Sequence, residues 1–369
     1  MTMLKIKATN DRLLGPLQQV TGIVERRHTL PILSNVLVTA GAGHVDFLAT
    51  DLEVQITSRA ALDGQAEGAV TVGARKLHDI LRALPEDAEI SLEAKENRMV
   101  VRAGKSRFNL QTLSAGDFPK MVEARETLRK LELPQKALKQ ALGLVQFAMA
   151  VQDIRYYLNG VLFCVEKDTL RVVATDGHRL SFASRSLTGD HGSVEAILPR
   201  KTVIELIKLL DDSDDPVAIA IGANQVRFAF AGIEIVSKIV EGKFPDYQKV
   251  IPTGHKNRVS IDRDTLARSL NRAAILSNDK IRGVRLVFTK NALSIICTNN
   301  EQEEAEEGLA IDYDGDALDI GFNISYLLDV LNHVEAETVS VAMGDANSSA
   351  LIQIPGREDF KYVVMPMRI

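Results

Sequence analysis

The chain has 369 residues, of which 46% are hydrophobic and 25% are charged, a composition typical of a globular protein with about two or three domains. It contains no run of eighteen apolar residues, and its N-terminal segment lacks the apolar centre of a secretory signal, so we expect a cytoplasmic protein. The average net charge of −5 argues against a nucleic-acid partner, but an average says nothing about how the charges are distributed.

Four landmarks occur three times along the chain, in the same order. The ATD-like landmark recurs at offsets of 125 and 123 residues, and the landmark with proline at offsets of 126 and 121. Four coincidences in order predict three homologous domains, at 1–125, 126–253 and 254–369. The matching segments are 30–38, 156–163 and 280–288; 49–53, 174–178 and 297–301; 73–84, 199–210 and 322–334; and Phe118-Pro119, Phe244-Pro245 and Met365-Pro366.

Each repeat has the same predicted order of elements. An early helix is predicted from apolar residues at a 3.6-residue period, and a second helix follows near the middle of the repeat. Short β-rich runs bounded by turn residues lie between them, as at 36–40, 170–176 and 293–298. The sequence therefore predicts an α+β fold with antiparallel sheets. The six predicted helical windows are 12–27, 75–82, 136–155, 200–208, 263–282 and 322–334.

Positive charge is concentrated in the predicted helices. The six windows hold 17 Lys or Arg and 7 Asp or Glu, whereas the remainder holds 27 and 42. Solvated helix faces would explain this contrast, but so would a basic surface presented to a phosphate backbone, with an acidic exterior. Because no sequence-reading motif occurs, any DNA binding should be independent of base sequence.

Two charged runs of opposite sign lie in different repeats. The first repeat contains RMVVRAGKSR (98–107), and the third contains EQEEAEE (301–307). Either run can be a solvated face. Alternatively, the two meet across a head-to-tail interface, where such charges set partner choice and register.

The sequence offers little support for catalysis. Asp176-Gly177-His178 could suggest a carboxylate–histidine dyad, but adjacent residues rarely form one, and neither a Walker A loop nor a GxGxxG loop occurs. Cys164 and Cys297 lack metal-site spacing, so they are interpreted as small buried apolar residues. We therefore expect no enzyme, cofactor or metal. A scaffold that does not bind DNA is the other alternative, and the basic helices argue against it.

From end to end, the chain resembles the β subunits of bacterial DNA polymerase III, the family of sliding clamps that act as processivity factors. The resemblance implies three similar domains with two helices each, and a head-to-tail homodimer. In that ring the helices surround double-stranded DNA and the sheets lie outside. It also implies that the replicative polymerase, the clamp loader and repair proteins bind through short peptide motifs. The most specific stretches are RYYLNGVLF (155–163), VVATDGHRL (172–180), FPDYQKV (244–250), AAILSN (273–278), EQEEAEE (301–307) and YVVMPMR (362–368).

The resemblance also implies a peptide-binding pocket between the second and third domains. Lys249 stands where the family often has Arg, and Ile369 where Leu is common; neither change removes charge or apolar character. Flexible, polarizable methionines near the C-terminus suit a site that accepts several peptides. The implied pocket residues are Arg155, Leu158, Thr175, Gly177, His178, Arg179, Leu180, Pro245, Lys249, Val250, Ser349, Val363, Val364, Met365, Pro366, Met367 and Arg368.

Two further residue sets follow from the resemblance. The implied DNA contacts are Arg27, Gln152, Tyr156, Tyr157, Arg200 and Lys201. The implied dimer interface has Lys76, Ile80, Arg98, Lys105, Arg107 and Leu110 on one side. The other side consists of Ile275, Leu276, Glu301, Glu303, Glu304, Glu306 and Glu307.

Overall fold

The computed structural model describes residues 4–25, 30–122, 127–278 and 280–369. Within these ranges, each third of the chain has two α-helices, and none is long and apolar enough to cross a membrane. The helices are α1 (Asn10–Thr21), α2 (Ala74–Arg82), α3 (Gln135–Gly143), α4 (Arg200–Leu209), α5 (Arg263–Ala273) and α6 (Ile324–His333).

Antiparallel strands make up most of the remaining structure. The first third contains β1 (Leu4–Thr9), β2 (Asn35–Thr50), β3 (Val54–Gly73), β4 (Glu89–Lys95), β5 (Arg98–Ala103) and β6 (Ser106–Leu113). The second contains β7 (Thr127–Pro134), β8 (Gly160–Glu166), β9 (Thr169–Thr175), β10 (Arg179–Ser186), β11 (Ser193–Pro199), β12 (Pro216–Gly222), β13 (Gln225–Phe230) and β14 (Ile233–Lys238). The third contains β15 (Asn257–Asp262), β16 (Gly283–Thr289), β17 (Ala292–Thr298), β18 (Glu304–Ala310), β19 (Leu318–Asn323), β20 (Thr338–Met343), β21 (Ala350–Gln353) and β22 (Phe360–Val364).

The described helices bury the apolar faces that their sequence period predicts. In α1, Leu13, Leu17 and Val20 are fully buried. Helix α5 begins where the Asp262 carboxylate accepts a hydrogen bond from the Thr265 amide at 2.7 Å, an N-cap that satisfies an end donor.

Three of the predicted helical windows are too long. Helix α1 ends at Thr21, and residues 22–25 of the window 12–27 are not helical. Helix α3 ends at Gly143 and is followed by a 3-10 turn at Gln146–Ala148, whereas the window ran to residue 155. Helix α5 ends at Ala273, before a 3-10 turn at Ala274–Leu276, whereas the window ran to residue 282. Apolar residues that follow α3, such as Val145 and Met149, remain buried on either side of the 3-10 turn. They therefore continued the apolar spacing of the helix in the sequence.

The chain forms two compact units, and its middle third contributes to both. One unit comprises Met1–Lys136 and Ile204–Ile239, and its sheet runs β1-β4-β5-β6-β3-β14-β13-β12-β7, with β2 paired to β3. The other comprises Ala137–Val203 and Val240–Ile369, with one sheet in the order β11-β8-β9-β10-β22-β21-β20-β15 and a second in the order β18-β17-β16-β19. The predicted boundaries near residues 125 and 253 remain predictions.

Successive repeats are joined by equivalent strand pairs. Strand β3, which follows the first ATD landmark, pairs with β14, which precedes Phe244-Pro245. Strand β10, which follows the second ATD landmark, pairs with β22, which precedes Met365-Pro366. The corresponding strands that remain are β18, after the third ATD-like landmark, and β6, before Phe118-Pro119.

Candidate functional site

The base of the candidate pocket is an apolar face formed by strands β10 and β22. Their antiparallel register places Leu180 opposite Val363, so the two side chains share one face of the sheet. Their exposures are 2% and 1%. The buried members of the cluster that contains both residues are Leu162, Cys164, Val173, Leu180, Phe182, Ile197, Phe244, Tyr247, Ala342, Leu351 and Val363.

The segment that carries the Phe-Pro landmark of the second repeat packs against this cluster. Phe244 and Tyr247 are buried within it, and they fix the intervening backbone in place. Pro245, Lys249 and Val250 are left exposed on the same segment, and Val250 is 43% accessible. Val250 is therefore an exposed apolar residue on a segment that packs against the buried apolar cluster.

The turn between β9 and β10 is held in one conformation by its own polar groups. The Thr175 hydroxyl donates to the Arg179 carbonyl at 2.6 Å and accepts from the Gly177 amide at 3.1 Å. Gly177 has a φ of +92°, which L-residues rarely adopt. A Cβ atom there would lie 3.1 Å from the Arg155 guanidinium, so this cation lies against the turn. The turn therefore brings Arg155, Gly177 and the exposed His178 to the edge of the apolar face.

Arg155 is oriented by a neighbouring carboxylate. Its guanidinium donates to both Asp153 oxygens, at 3.0 and 2.8 Å, and to the Asp176 carbonyl at 3.3 Å. The hydrogen bond from Arg155 lowers the pKa of Asp153 to about 2. Leu158, in contrast, is only 2% exposed and lies beneath this surface.

Arg179 and Val364 lie on the other face of strands β10 and β22, and their place in the pocket remains a prediction. They are opposite each other in the β10–β22 register, on the face away from Leu180. There the Arg179 guanidinium pairs with Asp329 of α6 and lies 4.3 Å from the centre of the Tyr326 ring. Neighbouring residues on a strand point to opposite faces, and this separates Arg179 and Val364 from Leu180 and Val363.

The C-terminal segment is attached at two points. The Met365 amide donates to the His178 carbonyl at 2.9 Å, and the Met367 amide donates to the Gly321 carbonyl at 2.9 Å. The Met365 side chain is 47% exposed beside the pocket turn. The other predicted residues near this end are half-buried or exposed: Ser349, Pro366, Met367 and Arg368.

The predicted DNA contacts that the structure describes lie at the start of α4 and in the loop before β8. The Arg200 amide donates to the Asn159 carbonyl at 3.1 Å, which ties the start of α4 to the loop that contains the exposed Gln152 and Tyr156. Lys201 follows Arg200 in the first turn of α4. Arg27 lies outside the described residues.

Tyr157 differs from the other predicted DNA contacts. Tyr157 packs against the apolar cluster beneath the pocket, and its ring lies 3.3 Å from where a Cβ on Gly242 would be. It therefore belongs to the pocket surface as much as to the loop surface.

The predicted interface residues of the first repeat occupy α2 and the β5–β6 hairpin. Arg98, Lys105 and Arg107 are exposed on the hairpin, and Ile80 is half-buried on α2. Lys76 and Leu110 line a groove of about 710 Å³ that also includes Leu113.

In the third repeat, the predicted interface residues lie after α5 and along β18. Ile275 is 78% exposed and Leu276 is half-buried. Strand β18 is the last strand of its sheet, and it carries much of the acidic run. The exposed acidic side chains are Glu301, Glu303, Glu304 and Glu306.

Glu307 already has a partner in its own chain. Its carboxylate accepts from the Arg272 Nε at 2.8 Å and from a second guanidinium nitrogen, and this hydrogen bonding lowers the pKa of Glu307. Glu307 is therefore less available to an opposing cation than the other glutamates of the run. The basic character of α5 indicated such a cation, but no sequence pattern pointed to Glu307 as its partner.

The sequence reasoning also missed Phe244, Tyr247 and Gly321, which support the pocket from behind. The recurring Phe-Pro landmark was the signal available for Phe244. Tyr247 lies three residues further along, and Gly321 is distant in sequence from the tail that it contacts.

Comparisons with known proteins agree along the whole chain. Family models match residues 4–122, 132–246 and 248–368 as the N-terminal, central and C-terminal domains of the DNA polymerase III beta subunit. The beta sliding clamp of Pseudomonas putida is 47% identical over 361 residues, covering 97% of this chain and 98% of that protein. The Escherichia coli K12 beta sliding clamp is 46% identical over 367 residues, which cover 99% of this chain and 100% of that protein. A crystal structure of the Pseudomonas aeruginosa sliding clamp bound to griselimycin has a TM-score of 0.96 at 44% identity. The match covers 99% of this chain and 100% of that chain.

Proposed function

The chain belongs to the DNA polymerase III β-subunit family of sliding clamps, and from this premise we propose that two copies form a closed ring around double-stranded DNA. As a member of this family, the chain is a non-catalytic subunit of the polymerase, and we expect it to act in the cytoplasm. The observation that carries the proposal is the repeated strand junction between successive domains.

The junction pattern supports a head-to-tail dimer. Within the chain, the strand after each of the first two ATD landmarks pairs with the strand before the next repeat's proline landmark. The third pair, β18 and β6, is left without this junction. Among the described residues, the only strand that pairs with β18 is β17, and β6 pairs with β3 only at Thr112 and Leu113. A second copy would complete both junctions by strand addition, and a heterologous contact made twice closes a ring.

Charge complements this strand pairing. Exposed glutamates lie on and just before β18, whereas Arg98, Lys105 and Arg107 are exposed on the β5–β6 hairpin. Ile275, adjacent to β18's sheet, would add an apolar contact that needs no rearrangement, because the residue is already exposed.

The helices supply a surface suited to a phosphate backbone. As the structure bounds them, the six helices hold 12 Lys or Arg and 5 Asp or Glu, although the whole chain has a net charge of −5. Such a distribution attracts DNA to the helices and repels it from the acidic remainder of the chain. Gln152, Tyr156, Arg200 and Lys201 are the described residues that we assign to this contact.

A topological experiment tests the ring. Loaded onto nicked circular DNA with a clamp loader and ATP, the labelled protein should remain bound through gel filtration. After the circle is cut with a restriction enzyme, it should slide off. Retention on linear DNA with free ends, or loss from intact circles, would contradict encirclement.

We further propose that the pocket binds short peptide segments of the replicative polymerase, the clamp loader and repair proteins. The apolar face of Leu180 and Val363 is flanked by Val250 and Met365, with Arg155 and His178 at the edge, as expected of a site with a few polar groups around an apolar base. Met365 and Met367 can adapt to different side chains. Griselimycin, which is bound by the P. aeruginosa clamp, should bind here as well.

Calorimetry with griselimycin tests the pocket directly. The wild-type chain should bind it, and deletion of Met365–Ile369 should abolish binding and polymerase stimulation while the ring still holds circular DNA. A truncated chain that still supports processive synthesis would refute the assignment, and so would a complex with the ligand on the acidic outer sheets.

A further inference from the structure

The C-terminal tail, residues 365–369, rests on two strand glycines. Gly321 and Gly283 lie on the neighbouring strands β19 and β16, and the register places Gly321 opposite Arg285 and Gly283 opposite Asn323, on one face. The opposite face holds the buried Val284 and Phe322. The two glycines therefore form a bare area on the face that points away from the core.

Neither glycine is required by its backbone conformation. Both lie in regular strands, and neither has a positive φ. Glycine inside a strand costs stability relative to a residue with a side chain, and it commonly marks the close approach of another backbone. The reason for glycine at these positions must therefore be the space that it leaves.

The tail occupies that space. A Cβ atom on Gly321 would collide with the Met367 carbonyl oxygen and lie 2.8 Å from Ile369 Cδ1. The three atoms nearest to a Cβ on Gly283 would be side-chain carbons of Ile369, at 3.1 to 3.5 Å. The Gly321 carbonyl also accepts the Met367 amide at 2.9 Å. The contact at Gly321 is thus rigid backbone, whereas the contact at Gly283 is the end of a flexible side chain.

We propose that Gly321, assisted by Gly283, is a positioning residue for the peptide-binding pocket. This inference rests on the proposed pocket. The tail is fixed at Met365 by His178 and at Met367 by Gly321, and the Met365 side chain, which flanks the apolar face, lies between these two attachments. Without the second attachment, the pocket methionines would have to be ordered when the peptide binds, and this cost would weaken the binding. Gly321 acts without touching the peptide.

The test uses Gly321→Ala, Gly283→Ala and a matched control, Gly308→Ala. Gly308 is a strand glycine of the same sheet, and a Cβ there would meet nothing within 4 Å. We expect Gly321→Ala to weaken griselimycin binding at least about fivefold, the equivalent of losing one backbone hydrogen bond, with a smaller effect for Gly283→Ala. Gly308→Ala should bind like the wild type. Carboxypeptidase should also release the tail of Gly321→Ala faster than the tail of the control.

A double variant separates positioning from general damage. Because the atoms nearest to a Cβ on Gly283 all belong to the Ile369 side chain, Gly283→Ala with Ile369→Ala should bind like Ile369→Ala alone. Unchanged griselimycin affinity in Gly321→Ala, or unchanged tail release, would overturn the role of Gly321 while leaving the pocket intact. A wild-type chain that does not bind griselimycin would instead overturn the proposed pocket, and the positioning role with it.

Discussion

Arg179 carries a positive charge into a nearly buried position between strand β10 and helix α6. Its side chain is 9% exposed, and it donates to Asp176, Asp329 and the Phe147 carbonyl. Burial opposes the charge, but Tyr362 and the two carboxylates together raise the pKa of Arg179 above its ordinary value. A planar, forked cation suits three acceptors in different directions.

Replacing Arg179 with Ala should lower the free energy of unfolding by about 3 kcal/mol, because two carboxylates lose their shared cation. Arg179→Lys should recover only part of this loss, since an ammonium group cannot reproduce the fork. Chemical denaturation followed by circular dichroism measures the change. The control is Arg171→Ala on β9, which removes a more exposed ion pair with Glu166 of β8. Equal effects of the Arg171 and Arg179 variants would contradict a structural role for Arg179.

Cys164 and Cys297 are buried as their sequence context predicted. Burial raises the pKa of each thiol to about 11. Because only the thiolate attacks a disulfide reagent, and a raised pKa leaves little thiolate near neutral pH, both should react slowly with Ellman's reagent at pH 8. Denaturant should make both react within minutes. Fast labelling of one thiol in the native chain would show that its burial is incomplete.

At the scale of single elements, the proposed dimer depends on the edge strands β6 and β18. Interface energy usually resides in a few apolar side chains, while charges at the edge steer the encounter. Ile275 follows α5 and is the exposed apolar residue closest in sequence to that helix.

Changing Ile275 and Leu276 together to Ser should give folded monomers. The exposed Ile275 contributes little to the folding of one copy, so the loss should appear in association rather than in stability. Sedimentation velocity at low protein concentration measures the oligomeric state. Ile154→Ser, at a residue that is 88% exposed, is the control for removal of an apolar surface residue. Persistent dimers in the double variant would show that this contact is wrongly assigned.

Helix α4 carries the described cations of the proposed DNA surface. Reversing Arg200 and Lys201 to Glu should weaken binding to duplex DNA equally for all sequences, and reduce the salt slope by about 1 for each lost phosphate contact. The dimer should persist. Lys238→Glu, on strand β14, removes a strand cation as a control. Unchanged affinity of the α4 variant at low salt would contradict the assignment.

At the scale of the whole molecule, the repeats made the architecture predictable. Spacing, apolar period and turn residues predicted three α+β domains with two helices each, and the family comparison and the structure confirm this. These signals are local or recur along the chain. The excess of Lys and Arg in the helices is also a local feature, and it remains when the charges are counted within the shorter helices of the structure.

Features set by contacts distant in sequence could not be predicted. Whether Val363 or Val364 faces the pocket depends on the register between β10 and β22, which no local pattern encodes. Arg272 and Glu307 approach each other only through the folding of the third repeat. The need for glycine at position 321 becomes visible only in the folded structure, where the C-terminal tail packs against it.

The acidic edge of β18 also bears on folding among identical chains. A newly made polypeptide with an unpaired strand edge is prone to stick to its neighbours, because backbone pairing is not selective. Two β18 edges brought together would place Glu304 and Glu306 of one copy against those of another, and this repulsion disfavours the mismatched pairing. The basic β5–β6 hairpin meets no such repulsion. The same charges that would align the mature ring would thus protect unassembled chains from aggregation.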